Sequence, residues 1–192
     1  MILSAKQREV FRFFGGQRDM LIADGAVRSG KTFALVHGFL FWAASLGNRL
    51  DFALAGRTIG AIKRNIIHPY IVPLRDDPDI EALGGISVNW SEHFFTFGGN
   101  SFYWFGGDKE TSQFLIQGKT LAGLLVDESV TLLRSFLDQA IARCSVEGAK
   151  IVFSCNPGNP RHYFKTDFID RAEELNAQYQ HWDMDDNPAL SE

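Results

Sequence analysis

Eight consecutive residues constrain this chain more than any other feature. Gly25-Ala26-Val27-Arg28-Ser29-Gly30-Lys31-Thr32 spell G-x-x-x-x-G-K-T, a complete Walker A pattern. A short apolar run, Met20-Leu21-Ile22-Ala23, precedes them, and Phe33-Ala34-Leu35-Val36 follows as the start of a helix. Strand, glycine turn and helix start aim backbone N–H groups and the positive end of a helix dipole at one point, where a polyphosphate can sit. In that arrangement Lys31 reaches the β- and γ-phosphates of a nucleotide and the Thr32 hydroxyl holds Mg2+.

The chain has 192 residues, enough for one domain with a sizeable core. Its 17 phenylalanines predict an aromatic-rich interior. A net charge of −4 exerts no overall pull toward nucleic acid, so any DNA contact must come from a local patch or from parts outside this chain. Cys144 and Cys155 lack a metal-type partner at short spacing and read as buried free thiols of a reducing compartment. The N-terminus does not read as a signal peptide, and the longest apolar stretch, Phe39 to Ala44, is too short to cross a bilayer. The expectation is a soluble intracellular protein with no membrane partner.

The periodicity predicts a helix from Ser4, as N-cap, to Phe14, ended by Gly15-Gly16. A strand follows near Met20 to Ala23, then the loop and a long helix to about Leu46, with Gly47-Asn48 as its stop. Phe52 to Ala55 reads as a strand, Ile59 to Tyr70 as a helix, and Leu74 to Gly85 as a polar connector. Phe94-Phe95-Thr96-Phe97, Gly98-Gly99-Asn100 and Ser101 to Phe105 read as a β-hairpin. Its aromatic residues suit core packing, with docking of a partner as the other reading. Leu121 to Val126 and Lys150 to Ser154 are apolar strands, Leu132 to Ala142 a helix, and Gln178 to Met184 a last strand. Strands alternating with helices predict an α/β fold of the P-loop NTPase kind, a mostly parallel central sheet flanked by helices with a β-hairpin insertion.

Two further strand ends carry polar groups. Leu124-Leu125-Val126 runs into Asp127-Glu128, a Walker B pattern: the first carboxylate can bind Mg2+ and the second can accept a proton from an attacking water. Alone, such a pair is more readily a solvated turn; the phosphate loop in the same chain favours the catalytic role. Ser154-Cys155-Asn156-Pro157 ends the next strand, where ligands of parallel sheets gather. A hydroxyl and an amide there can face the γ-phosphate, or Asn-Pro can simply shape a turn. Gln7 has an amide able to donate to and accept from adenine, and is otherwise an ordinary helix residue.

Together these pieces resemble the ATPase domain of the large terminase subunit, the DNA-packaging motor of tailed bacteriophages. The residues that carry the resemblance are Leu3 to Gln7, Gly25 to Thr32, Gly106-Gly107-Asp108-Lys109, Ile116 to Thr120, Leu124 to Ser129, Phe153 to Pro160 and Asp185-Asp186-Asn187-Pro188. They span residues 1–192 almost completely, in the family's order. The resemblance implies that Gln7 contacts adenine, that Arg28, Lys31 and Thr32 act on phosphates and metal, and that Asp127 organises Mg2+. It further implies that Glu128 activates water, with Arg28 as a charge sensor in cis, and that Ser154 and Asn156 couple hydrolysis to movement. The implied activity is ATP hydrolysis driving double-stranded DNA into a procapsid in the bacterial host cytoplasm. The implied partners are the portal protein, the small terminase subunit and further copies of the chain in a ring. A neighbouring subunit often supplies a second positive charge. Lys119 stands just before the Asp-Glu strand where an arginine is sought, and Arg57, Arg134 and Arg143 are the other candidates.

The family's large subunit carries a nuclease domain after the ATPase domain. This sequence ends at Glu192, so it is expected to bind ATP without cutting DNA. The rival readings are a helicase-like ATPase, disfavoured because such enzymes usually need two motor lobes, and a nucleotide-gated binding module in which Glu128 is structural. A small-molecule kinase fits the Asp-Glu and Ser-x-Asn-Pro strand ends less well than hydrolysis.

Overall fold

The computed structural model describes residues 3–47, 49–156 and 158–190. Asn48, half of the expected helix stop, and Pro157 of the Ser-x-Asn-Pro motif lie outside them. Helix α1 (Ala5–Phe14) starts where expected because Ser4 caps it. The Ser4 hydroxyl accepts from the Gln7 N–H at 3.2 Å, and the Gln7 side-chain carbonyl accepts from the Ser4 N–H at 2.9 Å. This reciprocal box satisfies donors that a helix start otherwise leaves bare.

The chain continues through β1 (Met20–Gly25), α2 (Lys31–Ser45), β2 (Asp51–Gly56), α3 (Ile59–Ile62), α4 (Pro78–Ala82) and β3 (Ile86–Asn89). Then come β4 (Phe94–Phe97), β5 (Asn100–Gly106), α5 (Ser112–Ile116), β6 (Leu121–Val126), α6 (Arg134–Arg143), β7 (Lys150–Cys155) and β8 (Ala177–Trp182). All eight strands form one sheet in the order β3-β4-β5-β2-β6-β7-β1-β8. The run from β5 to β8 is parallel, and β4 and β3 add to its edge antiparallel. The expected α/β class and mostly parallel sheet are therefore present. The hairpin differs in one respect: β5 is a full member of the parallel sheet, so the hairpin extends the sheet instead of standing apart from it.

Aromatic packing explains that placement. Phe102 of β5 stacks on Phe52 of β2 at 4.9 Å and on Phe95 of β4 at 4.7 Å between ring centroids. Phe95, Phe97, Phe102 and Trp104 are all buried, so the hairpin's aromatics serve the core. Gly98 and Gly99 turn the hairpin with φ of 58° and 76°, the two positive values that a tight two-residue turn requires. Two hydrophobic layers cover the sheet. One holds Phe39, Phe52, Phe95 and Trp104 with α1 and α2. The other holds Leu124, Phe136, Phe153 and Phe164 beneath α6.

Departures from the sequence expectation are local. The helix foreseen over Ile59 to Tyr70 is α-helical only to Ile62 and then π-helical over Lys63–Ile71. Pro69 lies inside this stretch, and the wide turn is closed by the Val72 N–H bonding the Ile67 carbonyl at 2.9 Å. The polar connector carries a 3-10 turn at Pro73–Asp76 and then α4. Helix α5 and a π-helical segment at Lys165–Ile169 were not foreseen. Among the described residues no helix is long and apolar enough to cross a membrane. Cys144 and Cys155 are both free thiols; burial pushes Cys144 up to about 12 and Cys155 higher still.

Candidate functional site: a phosphate loop facing two carboxylates

Strand register brings the motifs together. β7 lies between β6 and β1, with Val126 opposite Phe153 and Asp24 opposite Cys155. The turns after β1, β6 and β7 thus leave the sheet side by side at its carboxyl end. They open onto a cavity of about 1180 Å3 whose walls include Arg28, Lys31, Thr32, Asp127, Glu128 and Asn156. Gln7 and Ser154 also reach this wall, as do Val27, Ser29 and Gly30. Gly25 and Ala26 lie at the foot of the loop instead.

The loop's shape comes from its backbone. Gly25 (φ 141°), Arg28 (φ 65°) and Gly30 (φ 82°) all take positive φ. Helix α2 starts at Lys31 with Gly30 as N-cap and no side-chain cap. Its first N–H groups therefore remain available to an anion, where the helix dipole also favours negative charge. Ser29, only 1% exposed, has a hydroxyl with no hydrogen-bond partner among the described residues. A buried orphan hydroxyl in a loop of this shape suits a phosphate ligand.

Lys31 is buried, and its ammonium is held by three acceptors: the Gly25 carbonyl at 3.1 Å, the Ala26 carbonyl at 2.9 Å and Asn156 Oδ1 at 2.8 Å. Burial lowers its pKa, against the pull of Cys155, Asp127, Asp24 and Glu128. Asn156 thus touches the residue that would hold the terminal phosphates. On the same strand end, Ser129 Oγ donates to the Ser154 carbonyl at 3.0 Å, tying the turn after Asp127-Glu128 to the Ser-x-Asn segment. Lys31 thus bonds Asn156, and two residues earlier on the same strand end Ser154 bonds Ser129, the neighbour of Glu128.

Asp127 is buried, and burial raises its pKa; the Asn65 hydrogen bond (Nδ2 to Oδ2, 3.0 Å) opposes this, Glu128 adds to it and Lys31 opposes it. Glu128 sits in the left-handed region at φ 51°, ψ 49°, unusual for a residue other than glycine. On the cavity wall Asp127 and Thr32 offer a carboxylate and a hydroxyl to a cation. Among the described residues no three or more His, Cys, Asp or Glu side chains cluster as a metal cage. One carboxylate and one hydroxyl fit Mg2+, which keeps waters and takes further ligands from substrate phosphates.

Asp127 also yields a pH prediction. A carboxyl whose folded pKa lies above its unfolded one binds its proton more tightly when folded, so its ionisation costs stability as pH rises past the ordinary carboxylate range. Asp127→Asn keeps an acceptor for Asn65 and removes that cost. Without nucleotide or metal, its melting temperature is expected to exceed the wild type's near neutral pH. The gain should fade toward about pH 4, as thermal melts across that range would show.

Sequence reasoning missed three residues here. Asn65 and Tyr70 come from the π-helical stretch, and Asn187 bonds the Arg28 carbonyl at 2.8 Å. Only the Asp-Asn-Pro motif signalled Asn187 beforehand. Arg28 itself is exposed, with its guanidinium unpaired among the described residues. The candidates for a trans-acting charge are sorted by their partners. Lys119 precedes β6, at the opposite end of that strand from Asp127, and is held by Asp51 at 3.6 Å and over the Tyr103 ring at 3.3 Å. Arg143 bonds the Gln117 carbonyl at 3.1 Å, and Arg134 pairs with Asp138 and Asp167. Arg57, just beyond β2, is exposed and has no partner among the described residues.

A parallel sheet with a glycine loop after one strand and a paired acid after another defines a P-loop nucleotide-binding protein. Residues 22–191 match the family model described as terminase large subunit, T4likevirus-type, N-terminal, and the chain belongs to that family. Among solved structures it is similar to the large terminase of a thermophilic bacteriophage, at 40% identity and a TM-score of 0.89, over 100% of this chain and 48% of that one. The ADP complex of that phage terminase matches at 39% identity and TM-score 0.87, over 100% of this chain and 48% of that chain. Its ATP-γ-S complex matches at 38% and 0.84, over 100% and 47%. The chain thus spans about half the length of these terminase chains. No curated protein matches it.

Proposed function

We propose that this domain hydrolyses Mg·ATP and that the hydrolysis drives double-stranded viral DNA into a procapsid. The observation that carries the reading is the meeting of Lys31, Asn156, Asp127 and Glu128 around one cavity at the carboxyl end of the sheet. Family membership supports it, as do the nucleotides held by the thermophilic phage's terminase.

The α2 N-terminus and Lys31 would hold the polyphosphate, and Arg28 and Lys31 would offset charge that develops on the γ-phosphoryl group. Thr32 and Asp127 would hold Mg2+, which would supply neutralisation of the phosphate charge. Glu128 would position the attacking water and take its proton. Loss of the γ-phosphate frees Lys31 to change its hold on Asn156, and the Ser154–Ser129 bond passes that change to the turn beside Glu128. The working assembly would be a ring of copies docked on the portal of the procapsid in the bacterial cytoplasm, served by the small terminase subunit. In such a ring Arg57 is the best placed of the four candidates to enter a neighbour's site, because the other three are engaged within their own chain.

The test is titration of Mg·ATP into wild type and Lys31→Ala. Charge-assisted hydrogen bonds contribute about 1.5–3 kcal/mol each, so the variant should bind at least about tenfold more weakly. A packaging assay with portal-bearing procapsids should then show ATP-dependent protection of DNA from nuclease for wild type alone. Wild type that gives no binding heat would overturn the reading.

A further inference from the structure

The π-helical stretch Lys63–Ile71 takes no part in the chemistry above, yet two of its residues stand on the cavity wall. Its winding explains which ones. In an α-helix, at 3.6 residues per turn, five positions carry a side chain about 140° around the axis. In a π-helix each N–H bonds the carbonyl five residues back, as the Val72 N–H does to Ile67 at 2.9 Å, so side chains five apart come nearly into line. The stretch shows this repeat on three sides. Ile66 and Ile71 are both buried in the core. Lys63 and His68 both meet Trp90: the Lys63 ammonium lies 5.6 Å from its ring centroid, and the His68 ring stacks on it at 5.2 Å. Trp90 in turn meets the buried Trp104 of β5 at 6.1 Å, so this outer pair fastens the stretch to the sheet. Asn65 and Tyr70 are the third pair, and both reach the cavity.

Asn65 and Tyr70 connect to the two groups assigned to the cation, one each. Asn65 Nδ2 donates to Asp127 Oδ2 at 3.0 Å, and Asp127 is 6% exposed. Among the described residues no other side chain bonds this carboxylate. An amide N–H held to one carboxylate oxygen fixes the direction in which the other points. Tyr70 packs edge-on against Phe33 and His37, at 6.4 Å and 5.8 Å between centroids, on the first turns of α2, which begins with Lys31 and Thr32. Burial and, after it, the charge of Asp127 raise the Tyr70 pKa, which places the two groups within electrostatic reach of each other. In an α-helix through the same residues, an Asn65 held on Asp127 would leave Tyr70 turned about 140° away from the cavity wall. The wide winding is what lets one segment touch both sides.

We propose that the π-helical stretch positions the cation ligands: Asn65 is the positioning residue that aims Asp127, and Tyr70 braces the start of α2, and with it Thr32, against the same segment. The proposal rests on the nucleotide reading above, and its test separates the two. ATP-γ-S is titrated calorimetrically into each protein with Mg2+ and again with EDTA. Wild type should bind more tightly with Mg2+ than with EDTA. Asn65→Ala should lose about tenfold in affinity with Mg2+ and stay within about twofold of wild type in EDTA, since only the metal side loses its support. Asn65→Gln keeps a donor on a longer stem and should retain more of the metal-dependent gain, and it reads that gain even where Asn65→Ala does not fold. His68→Ala, on the Trp90 side of the same stretch, should keep the gain whole. Equal losses in both buffers for Asn65→Ala, a full gain in both Asn65 variants, or the same lost gain in His68→Ala would overturn the positioning role. Wild type that binds equally in the two buffers would overturn it together with the cation ligands. Wild type that gives no heat in either would overturn the nucleotide reading itself.

Discussion

Glu128→Gln is expected to slow ATP hydrolysis by about a hundredfold or more while Mg·ATP affinity stays within about twofold of wild type. The argument begins with the backbone. At φ 51° Glu128 occupies a region that costs a side-chain-bearing residue of order 1–3 kcal/mol, and such strain persists only where the surroundings impose it. Here its carbonyl accepts from both the Thr131 N–H and the Thr131 hydroxyl, each at 2.8 Å, while Ser129 next to it bonds the Ser154 carbonyl. The turn is pinned from two sides, and it presents Glu128 to the cavity beside Asp127. Glutamine has the same shape and can still hydrogen-bond a water, so binding should survive. A carboxamide cannot accept the proton, so the chemical step should not. Single-turnover phosphate release measured beside ATP binding gives the answer. Equal rates in the two proteins would place the general base elsewhere.

Gly25→Ala should unfold the loop and its neighbouring strand together, at a cost of about 3 kcal/mol or more. Gly25 has φ 141°, where side chains are strained regardless of space. A Cβ there would also collide with the Trp182 carbonyl oxygen and stand 2.6 Å from the Trp182 nitrogen. Trp182 is the last residue of β8, paired with Gly25, and its carbonyl holds the Ala26 N–H. Because β8 is an edge strand with β1 as its sheet neighbour, the clash has one outlet: the strand lifts, and the Asp183–Leu190 segment leaves with it. Chemical denaturation should show the loss. Gly118→Ala provides the contrast, since a Cβ at Gly118 meets nothing within 4 Å, and its stability should stay within about 0.5 kcal/mol of wild type.

Much of the site was legible because its parts are local. The strand before Gly25, the helix after it and the cap at Ser4 each depend on residues a few positions apart, and each forms where the pattern places it. The acids after β6 and the amide after β7 could be assigned to strand ends from apolar runs alone. Asn65 was not legible, because the stretch that carries it reads as a plain amphipathic helix. The wide π turn around Pro69 answers to packing of Ile66, Ile67 and Ile71 against the core, and no spacing rule announces it. The engagement of Lys119, one of the four candidates for a trans-acting charge, was not legible either. Its partners, Asp51 and Tyr103, lie on β2 and β5 and become neighbours only once those strands pair.

The amino-acid order by itself determined the phosphate loop, the class of fold and the side chains on offer at three strand ends, since backbone conformation at glycines and apolar periodicity are set over short windows. Tertiary structure decided which strand ends stand side by side, that β5 joins the parallel sheet, and that Asn187 comes to rest on Arg28 from far along the chain. The physical reason is that strand order and register follow from burying two faces of one sheet at once, a condition imposed by the whole chain and visible in no single segment.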